Sequence, residues 1–313
     1  MEALSRETTE DVIGQLGFTE EVGRLRTMLT EWVERCNSEV HELLDWQFQG
    51  KSKYFRPLTV LSCYRALYPG PIPSVLLRTA AAVEMFHNVS LIIDDILDKS
   101  SQRRGKPTLH CQFGLLPALM ASGYIVADGY QTVVEDPFNI TLLSELLKRL
   151  GVAECMQWRL RRQPLGVEDW LKIAGEDTGS MFEICACLGT HNESLRQFGH
   201  LLGVLYHGCD DVGDVKGLEA LGGGGEEDLR DGILTLPASL AIRNPHIRAL
   251  FCKQNPTSQD LARIAQAMKA RLPEAEQYLD RVADEAREEA RLYAANPGPL
   301  LALIEHTRQL SQR

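Results

Sequence analysis

One period dominates this 313-residue chain. Apolar residues recur at three- and four-residue spacing almost throughout, and alternating β-branched runs bounded by turns do not occur. Val22, Leu25, Leu29, Val33, Val40 and Leu43 or Leu44 trace one such stripe from Val22 to Trp46. This spacing gathers side chains on one face of an α-helix and scatters them over both faces of a strand. The chain is therefore expected to be all-α. Beyond Trp46, helices are expected over 57–67, 74–98, 113–134, 138–162, 167–189, 195–215, 235–243, 247–254, 258–270, 273–295 and 298–311. Pro57 suits the first turn of its helix, and Pro69-Gly70-Pro71-Ile72-Pro73 breaks the chain before the long helix at Ser74. Two stretches read as loops. One is Lys99 to Thr108, and the other is Gly217 to Gly232 with its run Gly222-Gly223-Gly224-Gly225. No linker and no short repeat interrupts the pattern, so residues 1–313 read as a single-domain bundle of about ten or more helices.

Charge excludes one class of partner. The 33 Lys+Arg against 43 Asp+Glu leave a net charge of −10, and nucleic acid requires a basic face. The eight cysteines are scattered, with only Cys185 and Cys187 as a C-x-C pair. Reduced, mostly buried thiols in a cytoplasmic protein are expected, and neither a zinc site nor a disulfide frame. The first residues carry early acids and no apolar core of signal-peptide length. Cys111 to Ala127, the least charged stretch, is too short and too polar to span a bilayer, so no stable membrane insertion is expected.

The acids are not evenly spread. Asp94-Asp95-Ile96-Leu97-Asp98 and Asp210-Asp211-Val212-Gly213-Asp214 both read D-D-x-x-D, each at the end of an otherwise apolar helix. Asp94 projects with Asp98, and Asp210 with Asp214, because residues four apart share a helical face. Stacked carboxylates repel unless a cation lies between them. Oxygen ligands of this kind suit Mg²⁺, which keeps waters and shares substrate phosphate oxygens. One such cluster could be a solvated helix end; two, each embedded in apolar sequence, are better explained as a clamp for a diphosphate.

Basic residues surround the first cluster. Arg103-Arg104-Gly105-Lys106-Pro107 follows Asp98, and guanidinium groups grip phosphate bidentately. Upstream, Lys53-Tyr54-Phe55-Arg56-Pro57 puts cations where a helix begins, a ready anion site. His87 lies seven residues before Asp94 and so on its face.

Together these residues resemble the trans-type isoprenyl diphosphate synthases, the polyprenyl synthetase family, from about Gly50 to Arg313. The stretch Glu84 to His110, EMFHNVSLIIDDILDKSSQRRGKPTLH, resembles the family's first aspartate-rich motif. Tyr206 to Asp214 resembles the second, Lys53 to Pro57 the K-x-x-R-P element, and Thr235-Leu236-Pro237 the T-L-P element. The resemblance implies an all-α bundle around a central apolar cavity, a homodimer, and Mg²⁺-dependent condensation of isopentenyl diphosphate with an allylic diphosphate. It implies that Asp94, Asp95, Asp98, Asp210, Asp211 and Asp214 hold three Mg²⁺ ions and the allylic diphosphate. Arg103 would contact that diphosphate, with Thr178 and His207 also at substrate. Lys53, Arg56, His87 and Arg104 would bind isopentenyl diphosphate.

The sequence departs from the family pattern at the second cluster. Seven residues after the aromatic Trp170 the family has Lys-Thr, and here stands Asp177-Thr178. The family's lysine before T-L-P falls on Ile233, its glutamine before the second motif is His207, and its following glycine-lysine element is replaced by the Gly222–Gly225 run with acids. Lys216, or Arg159, Arg161 and Arg162, are the cations available to stand in. Two other readings follow from these losses: a class I terpene cyclase-like enzyme, or a non-catalytic partner subunit of an active synthase. A growing tail is expected to run along the first motif's helix past Val89 and Ser90 toward Phe86, about 12 Å from Asp94 by helix rise, which points to a product of C20 or longer.

Overall fold

The stripe that begins at Val22 folds as two helices, not one. The computed structural model of the chain describes residues 9–49, 52–217 and 225–311. A short helix α1 (Thr9–Gln15) is followed by α2 (Thr19–Arg35) and α3 (Ser38–Phe48). Asn37 separates the last two as an N-cap, its side chain accepting from the Glu39 backbone N–H at 2.9 Å.

The chain gathers into two compact units. The first comprises residues up to Ser144 with Cys187–Asn192, and the second comprises Glu145–Ala186 with Glu193 onward. In the first unit, α4 (Phe55–Leu67) precedes the long helix α5 (Ser74–Leu97), then α6 (Leu109–Phe113) and α7 (Leu115–Thr132). Helix α5 packs against α2, α4 and α7. It is long and apolar enough to cross a membrane by length and composition, but 78% of its apolar window is buried within the protein. Its apolar surface is therefore spent on core packing, and that packing holds Asp94 and Asp95 at its last turn. The basic stretch after Asp98 folds as a hairpin, β1 (Gln102–Arg103) with β2 (Lys106–Pro107), in place of the expected loop. Its central residues Arg104 and Gly105 have φ of +53° and +79°. Positive φ at both positions is what a two-residue primed turn requires.

Helix α8 (Pro137–Leu160) leads into the second unit. The helix expected over 167–189 is interrupted: α9 (Val167–Ala174) runs into a π-helical turn (Gly175–Gly179) and then α10 (Ser180–Thr190). The central helix of this unit is α11 (Arg196–Lys216), followed by α12 (Gly225–Asp231) and α13 (Leu236–Ala241). Thereafter come α14 (Pro245–Phe251), α15 (Ser258–Lys269), α16 (Leu272–Tyr293) and α17 (Gly298–Gln309). Helix α12 lies inside the stretch expected to be loop; residues 218–224, including Gly222 to Gly224, lie outside the described residues. Helix α11 comes so close to the π-turn that a Cβ on Gly203 would sit 2.5 Å from the Thr178 carbonyl oxygen. That approach brings Thr178 and its neighbour Asp177 against the helix that carries the second aspartate cluster. Apart from the hairpin, regular structure among the described residues is helical, as the periodicity requires.

Candidate active site

In the first unit, α5 delivers its aspartates in two environments. Asp95 is buried and accepts from Arg103 Nε at 2.8 Å, so the hairpin is anchored on the middle acid of the motif. Burial raises the Asp95 carboxyl above its ordinary value, and Arg103 counters part of that rise. Asp94 and Asp98 are half-buried on the face that the i, i+4 spacing predicts.

Behind them lies a buried polar cluster. Arg56 Nη1 meets His87 Nε2 at 3.1 Å. Burial, with Arg56, Arg104 and Arg103 nearby, holds the His87 pKa well below its ordinary value. The ring is therefore neutral, accepts from Arg56 at Nε2 and carries its proton on Nδ1, a buried atom with no hydrogen-bond partner. One turn earlier stands Glu84, 2% exposed, whose carboxylate accepts from Ser52 Oγ. Burial raises its pKa, opposed by Ser52, Arg56 and Arg104, and its Oε2 is buried without a partner. Glu84 was not singled out from the sequence. The available signal was an acid in the middle of an apolar helix, which burial makes costly. Lys53 stands two residues before α4, half-buried.

In the second unit, the middle acid is again the buried one. Asp211 Oδ2 accepts from Trp170 Nε1 at 2.8 Å and from the Leu236 backbone N–H at 2.7 Å. The T-L-P element is thereby tied into the site, since Thr235 caps α13 and Leu236 grips Asp211. His207 lies one turn before Asp211, with Nε2 3.9 Å from Asp211 Oδ1. Its Nδ1 is 3.3 Å from Asp177 Oδ2 and 3.0 Å from Thr178 Oγ1. Burial opposes charge on this ring, but Asp211, the hydrogen bond to Asp177, and Asp210 together raise its pKa to about 9. His207 is therefore an imidazolium at neutral pH. Three of the four cations considered as stand-ins are engaged elsewhere. Lys216 pairs with Glu276, Arg161 with Asp231, and Arg162 is buried on the carbonyls of Arg230 and Phe251.

Asp214 bears on what the second cluster can hold. Its Oδ1 is buried with no hydrogen-bond partner, and burial together with Asp211 raises its carboxyl to about 6. An oxygen in that position suits a hard cation. Among the described residues no three carboxylate, imidazole or thiolate groups cage an ion by themselves.

The family model described as polyprenyl synthetase matches residues 37–270. The chain belongs to the polyprenyl synthetase family. It is a prenyltransferase that builds longer prenyl diphosphates. It is 26% identical over 307 residues to a nonaprenyl diphosphate synthase of Mycobacterium tuberculosis, covering 91% of each chain. It is 27% identical over 259 residues to a farnesyl diphosphate synthase of Geobacillus stearothermophilus, covering 75% of this chain and 86% of that one. Its fold matches a polyprenyl synthase from Caulobacter crescentus complexed with calcium and isoprenyl diphosphate, with a TM-score of 0.84, 22% identity and 98% of each chain covered. The relatives differ widely in product length, so family membership fixes the kind of reaction and not the length of the chain made.

Proposed function

We propose that the chain condenses isopentenyl diphosphate with an allylic diphosphate to give an all-trans prenyl diphosphate of C20 or longer, using three Mg²⁺ ions. The observation that carries this reading is the buried, unpartnered Oδ1 of Asp214 beside the fixed carboxylate of Asp211. Carboxylates crowded at such a cost call for a cation. Calcium and isoprenyl diphosphate in the Caulobacter relative are ligands of the same chemistry.

In this reading Asp94, Asp95, Asp98, Asp210, Asp211 and Asp214 hold the ions, and Arg103, Thr178 and His207 lie at the allylic diphosphate. Bound Mg²⁺ supplies the positive charge that stabilises a departing diphosphate. The protein contributes preorganisation. Arg103 is already fixed by Asp95, and Asp211 by Trp170 and Leu236, so little reorganisation is needed as charge develops. Lys53, Arg56, His87 and Arg104 bind isopentenyl diphosphate, and a neutral His87 with a proton on Nδ1 adds a donor to that set. An apolar surround keeps water from the cation left by ionisation.

Product length rests on Phe86. It is fully buried, meets Tyr130 edge-to-face at 5.1 Å, and occupies space that a Cβ on Gly129 would enter at 2.7 Å. In this reading the tail passes Ser90, which is half-buried, and ends against Phe86 one turn further back on α5, which is fully buried. A homodimer is supported by the α7 face on which Leu115, Leu116, Leu119 and Met120 are 54%, 68%, 39% and 59% exposed, an apolar patch that monomers rarely leave open. A cytoplasmic setting is supported by eight cysteines of which none forms a disulfide.

The test is incubation of the pure protein with Mg²⁺, isopentenyl diphosphate and C5, C10 or C15 allylic diphosphates. Longer diphosphates are expected. Hydrocarbons formed without isopentenyl diphosphate would indicate a cyclase, and no turnover of any pair would indicate a non-catalytic partner subunit.

A further inference from the structure

The acid at position 177 looks misplaced from the sequence alone, because it adds negative charge beside a cluster meant to meet diphosphate. The structure places it directly against His207. Asp177 Oδ2 lies 3.3 Å from His207 Nδ1 and accepts from Thr178 Oγ1 at 3.2 Å, while Thr178 Oγ1 is itself 3.0 Å from the same ring nitrogen. The other ring nitrogen faces Asp211 Oδ1 at 3.9 Å. The close contacts are all at Nδ1, where a carboxylate and a hydroxyl from the π-turn hold the ring, with Asp211 on its far side. Thus the departures at Asp177 and His207, thirty residues apart, meet in one contact.

We propose that Asp177 is a positioning residue: it fixes the His207 ring against Asp211, and the pair determines how the second aspartate cluster meets the allylic diphosphate. This rests on the prenyltransferase reading above. The geometry gives each partner a defined failure. Without His207, Asp177 loses the ring that separates it from Asp211. Without Asp177, the ring keeps Asp211 as its carboxylate partner but loses the contact that fixes its tilt. Removing both leaves Asp211 still held by Trp170 and Leu236. Losses at the two positions are therefore strongly non-additive.

The experiment is a double-mutant cycle of His207→Gln, Asp177→Asn and the double variant, read in two ways. Steady-state kinetics give KM for the allylic and isopentenyl diphosphates separately. Thermal unfolding of the metal-free proteins gives a readout independent of turnover. His207→Gln is expected to raise the allylic KM tenfold or more and leave the isopentenyl KM within twofold; adding Asp177→Asn should recover most of that loss. In unfolding, the double variant should melt no lower than the worse single variant. If the two substitutions act independently in both readouts, or if both KM values rise together, the proposal is overturned. If wild-type protein turns over no diphosphate pair, the prenyltransferase reading fails, and the melting cycle still decides the pair.

Discussion

Replacing Phe86 by alanine tests whether the wall behind the first aspartate motif measures the product. The side chain is fully buried, so its removal takes the transfer energy of a large aromatic and leaves a cavity, together about 3–5 kcal/mol. Two features push the cost toward the upper end. The edge-to-face contact with Tyr130 is lost, itself about 0.5–1.5 kcal/mol. Gly129, the residue before Tyr130 on α7, has no side chain with which to fill the space. For a chain of this size a loss of about 4 kcal/mol lowers the melting temperature by roughly 6 °C. The new space opens toward Ala82 and Val83, one turn further back on α5, and a growing tail can continue into it. The assay is condensation with labelled isopentenyl diphosphate well below the variant's melting point, followed by hydrolysis and separation of the prenyl alcohols by length. Longer products are expected. An unchanged product distribution in a variant that melts lower by the stated amount would show that Phe86 is packing and nothing more.

Asp94→Ala and Asp210→Ala should each lower kcat by about 10²–10³ or more while leaving the fold intact by circular dichroism; near-normal turnover in either refutes the metal assignment. Glu84 has a pKa raised by burial, so the folded protein keeps a proton there that the unfolded chain loses, and stability falls as pH rises from the ordinary carboxylate value through the folded one. Glu84→Gln should remove that slope, melting like the wild type in acid and higher than it at neutral pH; parallel melting curves across pH would rule this out. Leu116→Glu, at an exposed α7 position, should shift the protein from dimer to monomer by light scattering with less than about 0.5 kcal/mol lost from the folded chain. A dimer of undiminished strength would remove α7 from the interface.

The helical class was legible because apolar spacing is a strong and repeated signal, and the aspartate clusters were legible because five adjacent residues carry the whole pattern. Boundaries were harder. The stripe from Val22 to Trp46 keeps its period across the Asn37 break, since α2 and α3 both bury an apolar face, and only the capping side chain marks the joint. The π-turn hid inside 167–189 because its sequence, Gly175-Glu176-Asp177-Thr178-Gly179, holds no large apolar residue whose spacing could report it. Helix α12 was missed because glycines and acids read as loop, although Leu229 and Arg230 lie in it. At the site, Arg56 and His87 were each named, but their 3.1 Å contact joins two helices and no spacing rule encodes it. The same holds for Asp177 and His207. Each was read singly as a lost family residue, because a compensating pair becomes visible only when α11 and the π-turn are packed together.

The π-turn at Gly175–Gly179 has a consequence for how this site can change. An α-helix advances about 100° per residue, so one residue inserted or removed here rotates everything beyond it by more than a quarter turn. Within this helical segment, the side chain offered to His207 is chosen by that rotation. Wide turns of this kind gather at functional sites. Chains that differ by a single residue between Trp170 and Gly179 therefore present different chemistry to the same imidazole, and a gap in that short span carries more information about the pocket than any substitution within it.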